Sequence, residues 1–432
     1  MSLTILNVAL DVPLNRSFDY LAGDFKASVG NRVIVSFAGR NLVGVVLAIK
    51  KSSDFPIEKL KPVSHVFDDV VFSDIKLLQF CADYYHYPLG QALIASLPLR
   101  LRQLKPAVSR KQFAYFLLPN ADKNIIPKRK ILLERMFDAL QAAQILAASD
   151  AVLISTNWRK AISELKQLGL VGEKEVLAVK ASLPSANIEP NLNDEQQQSI
   201  TAVLAQTNRF KPWLLHGITG SGKTEVYIQI LRQNLLEKNA QVLVLVPEIN
   251  LTPQLEARFR SRLSQYPLVT LHSNLSESER LQNWLAASTG AAKIVIGTRL
   301  SVFTPIPNLR AIIIDEEHDG SYKQQDGMRY HARDVAMVRA KQLNIPIILG
   351  SVTPSLETWH NAQKGQYGLL ALQNRAVQNA QLPSIFCVDT AKSPTENGLS
   401  PILIKALRER LIKGEQCLYK KLQLPNRTEV PW

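Results

Sequence analysis

A chain of 432 residues, 46% of them hydrophobic and 20% charged, has room for about three domains and is too apolar to be wholly disordered. No run of eighteen apolar residues occurs, and residues 1–20 lack a basic segment leading into an apolar one, so neither a membrane span nor an export signal is expected and a cytoplasmic location is. Lys plus Arg outnumber Asp plus Glu by 51 to 37, a net charge of +14, which favours a polyanionic partner, nucleic acid ahead of an acidic membrane surface.

Along the chain, "GNRVIVSF" and "NLVGVVLAI", broken at Gly30 and Gly39, predict a small β-barrel. The segment "DIKLLQFCADYYHY" predicts a short helix ending near Pro88. Between Arg100 and Arg135 ten Lys or Arg face two acids, Asp122 and Glu134; this is either a solvated linker face or a DNA contact. "PKRKILLERMFDALQAAQ" and "NWRKAISELKQLGLV" have helical spacing, the first starting at Pro127 and the second stopping at Gly169. With "VGEKEVLAVKAS" as a hairpin wing they predict a winged-helix module. Cys81, Cys387 and Cys417 form no C-x-x-C pair and read as buried thiols.

Ala181–Asp194, rich in Pro, Ser and Asn, reads as a linker. Beyond it, "WLLHG", "QVLVLVP", "KIVIG", "AIIIDEE" and "PIILGS" alternate with helical segments. Continuous apolar runs of this kind are buried parallel strands, so a doubly wound α/β lobe is expected.

"HGITGSGKTEVY" places Gly217, Thr219, Gly220, Ser221, Gly222, Lys223 and Thr224 between a strand and a helix. Glycines let the backbone wrap, so N–H groups and the helix N-terminus face phosphate oxygens. Lys223 would neutralise the β- and γ-phosphates of ATP, and Thr224 would offer its hydroxyl to Mg²⁺. In "AIIIDEEHD" the apolar strand ends at Asp315, a candidate magnesium holder, and Glu316 is a candidate base for the attacking water; spacing alone leaves open which acid has which role. Thr252, Gln254, Thr298 and Arg299 lie in polar loops at strand ends and offer contacts to DNA phosphates; Ser351 and Thr353 offer coupling between sites.

GITGSGKTEVY, VPEINLTPQ, DEEHD and GSVTPS, in this order, resemble motifs I, Ia, II and III of superfamily-2 helicases. With "LHSNLSESER", "IVIGTRLSVFTP" and "DEEHDGSYKQQDGMRYHARDVA" the chain resembles, over residues 1 to about 417, the PriA family of primosomal replication-restart helicases (primosomal protein N-prime). The resemblance implies a multidomain α/β architecture: a 3′-end DNA-binding β-barrel domain over 1–105, a winged-helix domain over 106–180, a linker over 181–193, and a RecA-like P-loop helicase lobe 1 over 194–417. Residues 418–432 form an atypical tail.

The resemblance further implies a 3′-to-5′ ATP-dependent DNA helicase, in a nucleoid-associated setting, that recognises stalled or abandoned forks and starts primosome assembly. Forked DNA, single-stranded DNA with a free 3′ end, primosome proteins and single-strand-binding protein are the implied partners. It implies an adenine approach by Glu195 and Gln196. It also implies a 3′-end pocket of Phe18, Asp19, Tyr20 and Lys61, and a DNA-coupled aromatic loop carrying Tyr322, Lys323, Arg329, Tyr330 and Arg333. The aromatic that the family places before the Arg-Tyr pair is here Met328. After "GEQCL" the sequence departs into "YKKLQLPNRTEVPW", without the motif of a second lobe or the cysteines of the family's zinc insertion. Zinc is therefore not expected, and the chain alone is expected to be deficient in unwinding. Other readings are a non-enzymatic fork-binding protein, an RNA helicase or other P-loop translocase, and a P-loop enzyme of small-molecule metabolism.

Overall fold

The computed structural model describes residues 4–72, 74–106, 112–127, 130–147, 151, 154–176, 190–247, 253–376, 385–389, 392, 395 and 398–417. Two compact units divide the chain, 1–377 and 378–432. In the second, the described helix is Pro401–Ile412, capped by Ser400, whose side chain accepts from the Leu403 amide.

The first unit opens with strands β1 (Ile5–Leu10), β2 (Phe18–Leu21), β3 (Asn31–Phe37), β4 (Arg40–Lys50) and β5 (His65–Val70) in one antiparallel sheet, ordered β2-β1-β4-β3-β5. A two-residue turn joins β3 to β4, with Ala38 at φ 48° and Gly39 at φ 78°; both central residues of such a hairpin need positive φ, which explains the glycine. A bridge between Leu21 and Pro62 joins edge strand β2 to the segment entering β5. The sheet thus curls toward the expected barrel, around Leu6, Val8, Val33, Val35 and Val46.

Two helices follow, Lys76–Tyr84 and Leu89–Ser96. The second, beginning just after Pro88, was absent from the sequence reading. Gly90 lies against β1 so closely that a Cβ would stand 1.8 Å from the Leu10 carbonyl oxygen. Leu78, Cys81, Leu93, Leu97 and Leu101 then enter the same core as Trp284, Phe303, Tyr330 and Val335 of the P-loop lobe. The first domain and the lobe are therefore welded by shared apolar burial, although residues 106–193 stand between them in sequence.

Between them in sequence stand β6 (Gln112–Leu117), helix Ile131–Ala143, β7 (Leu146–Ala147), helix Trp158–Gln167 and β8 (Val171–Val176), with sheet order β7-β6-β8. Met136, Phe137, Leu140, Trp158 and Leu165 give this module its own core. Both expected helices are present, the first beginning at Ile131 rather than at Pro127, and Gly169, at φ 69°, stops the second. The strand expected to open a hairpin wing pairs backward with β6. The other arm of that wing, most of the linker, part of the basic stretch and the 418–432 tail lie outside the described residues.

The lobe carries β9 (Pro212–Gly217), β10 (Gln241–Leu245), β11 (Leu268–Leu271), β12 (Ile294–Gly297), β13 (Leu309–Ile314), β14 (Ile347–Ser351) and β15 (Gly368–Leu372). All pair parallel, in the order β11-β12-β10-β13-β14-β9-β15. The five strands read from apolar runs are all present; β11 and β15 were not read. Because β13, β14 and β9 are neighbours, the loops after them share one edge of the sheet, where α/β sheets bind ligands. Among the described residues no helix is long and apolar enough to cross a membrane.

Candidate functional site

The loop after β9 turns through Gly220 at φ 80° and Gly222 at φ 83° into helix Lys223–Asn234. These φ values favour glycine, and they let successive N–H groups converge on an anion. Gly217 has no room for a side chain: a Cβ would stand 2.6 Å from Ser221 Oγ. That hydroxyl is buried without a hydrogen-bond partner. Lys223 Nζ donates to the Gly217 carbonyl at 2.9 Å. Burial lowers its pKa, against the opposing pull of Glu316 and Asp315. An orphaned hydroxyl, a lysine resting on a backbone carbonyl and a half-buried Thr224 fit a polyphosphate with its magnesium.

Asp315 and Glu316 follow β13. Tyr227 Oη, on the P-loop helix, donates to Asp315 Oδ1 at 3.0 Å, and Tyr322 Oη donates to the Asp315 carbonyl oxygen at 2.7 Å. Burial raises the Asp315 pKa, and neighbouring Glu316 adds to that. Glu316 has φ 44°, a left-handed conformation that costs a non-glycine residue about 1–3 kcal/mol. The turn sends adjacent acids in different directions. Glu316 lies 3.6 Å from His318, whereas Glu317 is fully buried. Glu317 accepts from the Ser355 amide at 2.7 Å, Thr358 Oγ1 at 2.9 Å and Arg333 Nη1 at 3.0 Å.

The coupling candidates meet here. His318 Nδ1 lies 2.7 Å from Ser351 Oγ, and Thr353 Oγ1 lies 3.3 Å from His318 Nε2. The acids after β13 and the loop after β14 are thus in direct contact. The adenine candidates are engaged locally. Gln196 forms a capping box with Asn193 and donates from Nε2 to the Ser221 carbonyl at 2.9 Å, bracing the phosphate loop. Glu195 accepts twice from Asn374.

Several DNA candidates require correction. Tyr322 is 0% and Tyr330 3% exposed, so neither offers a ring face to a base; both are core residues beneath the loop, as is Met328. The Arg299 guanidinium donates to the Ser321 and Lys323 carbonyls at 2.9 and 3.1 Å and braces that loop from within. Arg333 is committed to Glu317 and to Asp334. Lys323 Nζ donates to the Arg329 carbonyl, while the Arg329 side chain is exposed and Thr298 half-buried. Thr252 and the Gln254 side chain lie outside the described residues. Of the thiols, Cys81 is buried but Cys387 and Cys417 are exposed, so the buried reading holds for the first alone.

In the N-terminal domain, Phe18 is half-buried, packed edge-on against Phe37 at 4.8 Å with Arg16 over its face. Lys61 is exposed. Tyr20 is 5% exposed and belongs to the barrel core, which corrects its reading as a stacking face. Asp19 accepts from Asn7 Nδ2 at 2.7 Å, Ser53 Oγ at 2.7 Å and Lys50 Nζ at 3.3 Å. Burial pushes its pKa up, but those hydrogen bonds and the Lys50 charge outweigh it and hold the carboxyl below its ordinary value. A depressed folded-state pKa contributes stability that is present above the unfolded value, about 4, and is lost as pH falls through the folded value. Urea midpoints measured from pH 6 down to 2 should therefore fall less steeply below about pH 4 in Asp19→Asn than in the unaltered chain; parallel profiles would refute this.

A cleft of about 610 Å³ separates the segment Tyr87–Arg102 from His272, Arg280, Thr298 and Arg299 of the lobe. Sequence reading missed Arg102 and Arg280 here, as it missed Tyr227, Glu317 and His318. For Tyr227 a signal existed, since it stands one helical turn beyond Lys223.

The 3′DNA-binding domain (3′BD) family matches residues 7–98, and the DEAD/DEAH box helicase family matches residues 193–362. Replication restart protein PriA of Haemophilus influenzae is 40% identical over 427 residues, covering 96% of this chain and 58% of that protein. The PriA proteins of Bacillus subtilis (31% identical; 94% of this chain, 60% of that protein) and Chlamydia trachomatis (33%; 87% and 52%) match similarly. The chain thus spans little more than half the length of these relatives.

Proposed function

Because the chain belongs to the PriA family of replication restart proteins, we propose that it is the nucleotide-binding and DNA-end-binding part of a 3′-to-5′ DNA helicase. Its DNA would be a stalled or abandoned fork bearing a free 3′ end, and its protein partners primosome components and single-strand-binding protein. The observation that carries this reading is the weld between the 3′DNA-binding domain and the P-loop lobe through one core. A domain that grips a strand end is thereby fixed to the lobe that would hold ATP.

Mg-ATP would supply a phosphoanhydride whose hydrolysis can drive movement. Within the chain, Lys223 neutralises phosphate charge, while Thr224 and Asp315 are the residues to hold magnesium. Glu316, beside His318, orients the attacking water and takes its proton. His318, between Glu316 and Ser351, carries the state of the acids to the loop after β14. Gln196 and Glu195 remain the adenine candidates. On the DNA side, exposed Arg329 and Lys61 with half-buried Thr298 and Phe18 offer cations, a hydroxyl and an aromatic face. The Asp19 carboxylate would receive a terminal 3′-hydroxyl.

Fluorescence anisotropy on forked DNA with a free or a phosphate-blocked 3′ end, with and without a non-hydrolysable ATP analogue, tests the reading. The free end should bind more tightly, and nucleotide should shift its affinity. Equal binding to both ends, untouched by nucleotide, would refute the helicase reading and the end-binding reading together. A 3′-end preference without nucleotide sensitivity would favour a non-enzymatic fork-binding protein.

A further inference from the structure

Tyr227 lies one turn into the P-loop helix and is completely buried, and its hydroxyl donates to Asp315 Oδ1 at 3.0 Å. The rest of the structure is shaped around that hydroxyl. Gly350, on β14 between the P-loop strand and the acidic strand, would place a Cβ only 1.5 Å from Tyr227 Oη. The phenol therefore crosses the sheet edge through a slot left by a missing side chain. A phenylalanine ring would fill nearly the same volume without a polar atom to desolvate, and a buried hydroxyl is costly unless its hydrogen bond compensates. From the other side, Tyr322 Oη fixes the Asp315 carbonyl oxygen at 2.7 Å. Carboxylate and backbone of one residue are thus each fixed by a tyrosine hydroxyl, one from the phosphate helix and one from the loop after the acids.

We propose that Tyr227 is a positioning residue for magnesium. By holding Oδ1 of Asp315 through the Gly350 slot, it aims the carboxylate toward the ion of a bound Mg-nucleotide. This rests on the reading of Asp315 as a magnesium holder. Tyr227 touches neither nucleotide nor metal, and its effect runs wholly through Asp315. Residues that orient a metal-holding carboxylate typically account for about 10–100-fold in metal affinity.

The test is titration of Mg²⁺ against a fluorescent ATP analogue bound to the full chain, for the unaltered protein, Tyr227→Phe, Gly350→Ala and the double variant. Tyr227→Phe should raise the Mg²⁺ concentration needed for analogue binding about 10–100-fold, with affinity for the magnesium-free analogue within about twofold and the unfolding temperature nearly unchanged. Gly350→Ala, by displacing the phenol, should produce the same magnesium defect together with lower stability. In the double variant the two magnesium defects should fail to add, because both act on one bond. If the unaltered chain binds the analogue with no dependence on Mg²⁺, the reading of Asp315 falls and the proposal with it. If the unaltered chain does depend on Mg²⁺ and Tyr227→Phe keeps that dependence, the proposal alone falls. A Tyr227→Phe defect that is equal with and without Mg²⁺ would mark a merely structural tyrosine and also overturn it.

Discussion

Replacing Arg333 with alanine is expected to loosen the lobe around Glu317 by about 3–5 kcal/mol, the usual cost of leaving one partner of a buried ion pair alone. Glu317 has 0% exposure, and Arg333 Nη1 meets its Oε2 at 3.0 Å. The Ser355 amide and hydroxyl and Thr358 Oγ1 also approach the carboxylate, at 2.7, 3.1 and 2.9 Å. These neutral donors stay behind in the variant and share the stranded charge, so the lower end of the range is the better expectation. The loss should be local, because the pair ties together three segments: the turn after β13, the start of helix Ala332–Leu343 and the start of helix Leu356–Gln363. Hydrogen exchange of peptides spanning 313–360 should accelerate roughly 10²-fold, which is about 3 kcal/mol of opening free energy. Arg333→Lys, which keeps a charge but not the planar fork, should fall between. Exchange within threefold of the unaltered chain would show that the pair contributes little. The same experiment bears on DNA binding: an arginine that served phosphates alone would leave protection untouched.

That arginine also shows where sequence reading stops. In "GSYKQQDGMRYHARD" aromatics and cations alternate with polar residues, the pattern of an exposed, strand-gripping loop. Burial of Tyr322 and Tyr330 is decided by residues far away in sequence, including Leu78, Leu93 and Leu97 of the N-terminal domain. Nothing local encodes such contacts. Arg299 is similar, since its two carbonyl partners lie 22 and 24 residues downstream. Three successive acids look equivalent on paper; the left-handed turn at Glu316 assigns one to the helix side, one to the open edge and one to the interior. By contrast the lobe's sheet was legible, because a strand buried on both faces must be apolar throughout. Its two outermost strands escaped notice. β11 is only four residues long, and β15 alternates buried with exposed positions along an edge. The phosphate loop was legible for a different reason: positive φ at Gly220 and Gly222 and the closed space at Gly217 leave glycine little competition.

Lys223→Ala should reduce affinity for Mg-ATP, and any ATP hydrolysis, by about 10²- to 10³-fold, the scale for removing one preorganised charge-stabilising donor. The fold should survive. The lysine's bond in the structure is to one backbone carbonyl, Gly217, and an ordinary hydrogen bond contributes only about 1 kcal/mol net. The helix keeps its glycine N-cap, and the loop keeps the Gln196 brace on Ser221. Binding of forked DNA without nucleotide should be unchanged, because Phe18, Lys61 and Arg329 lie outside the phosphate loop; the nucleotide-induced shift in that binding should disappear. Lys223→Arg should not rescue it. The ammonium occupies a half-buried position beside Gly217, and a planar guanidinium is both larger and differently shaped. Two measurements on one preparation decide the matter: affinity for a fluorescent ATP analogue, and anisotropy of a labelled fork with and without ATP. Undiminished nucleotide affinity in Lys223→Ala would mean that the glycine loop is not the phosphate cradle. Lost affinity with an intact nucleotide effect on the fork would mean that ATP acts on DNA from some other place.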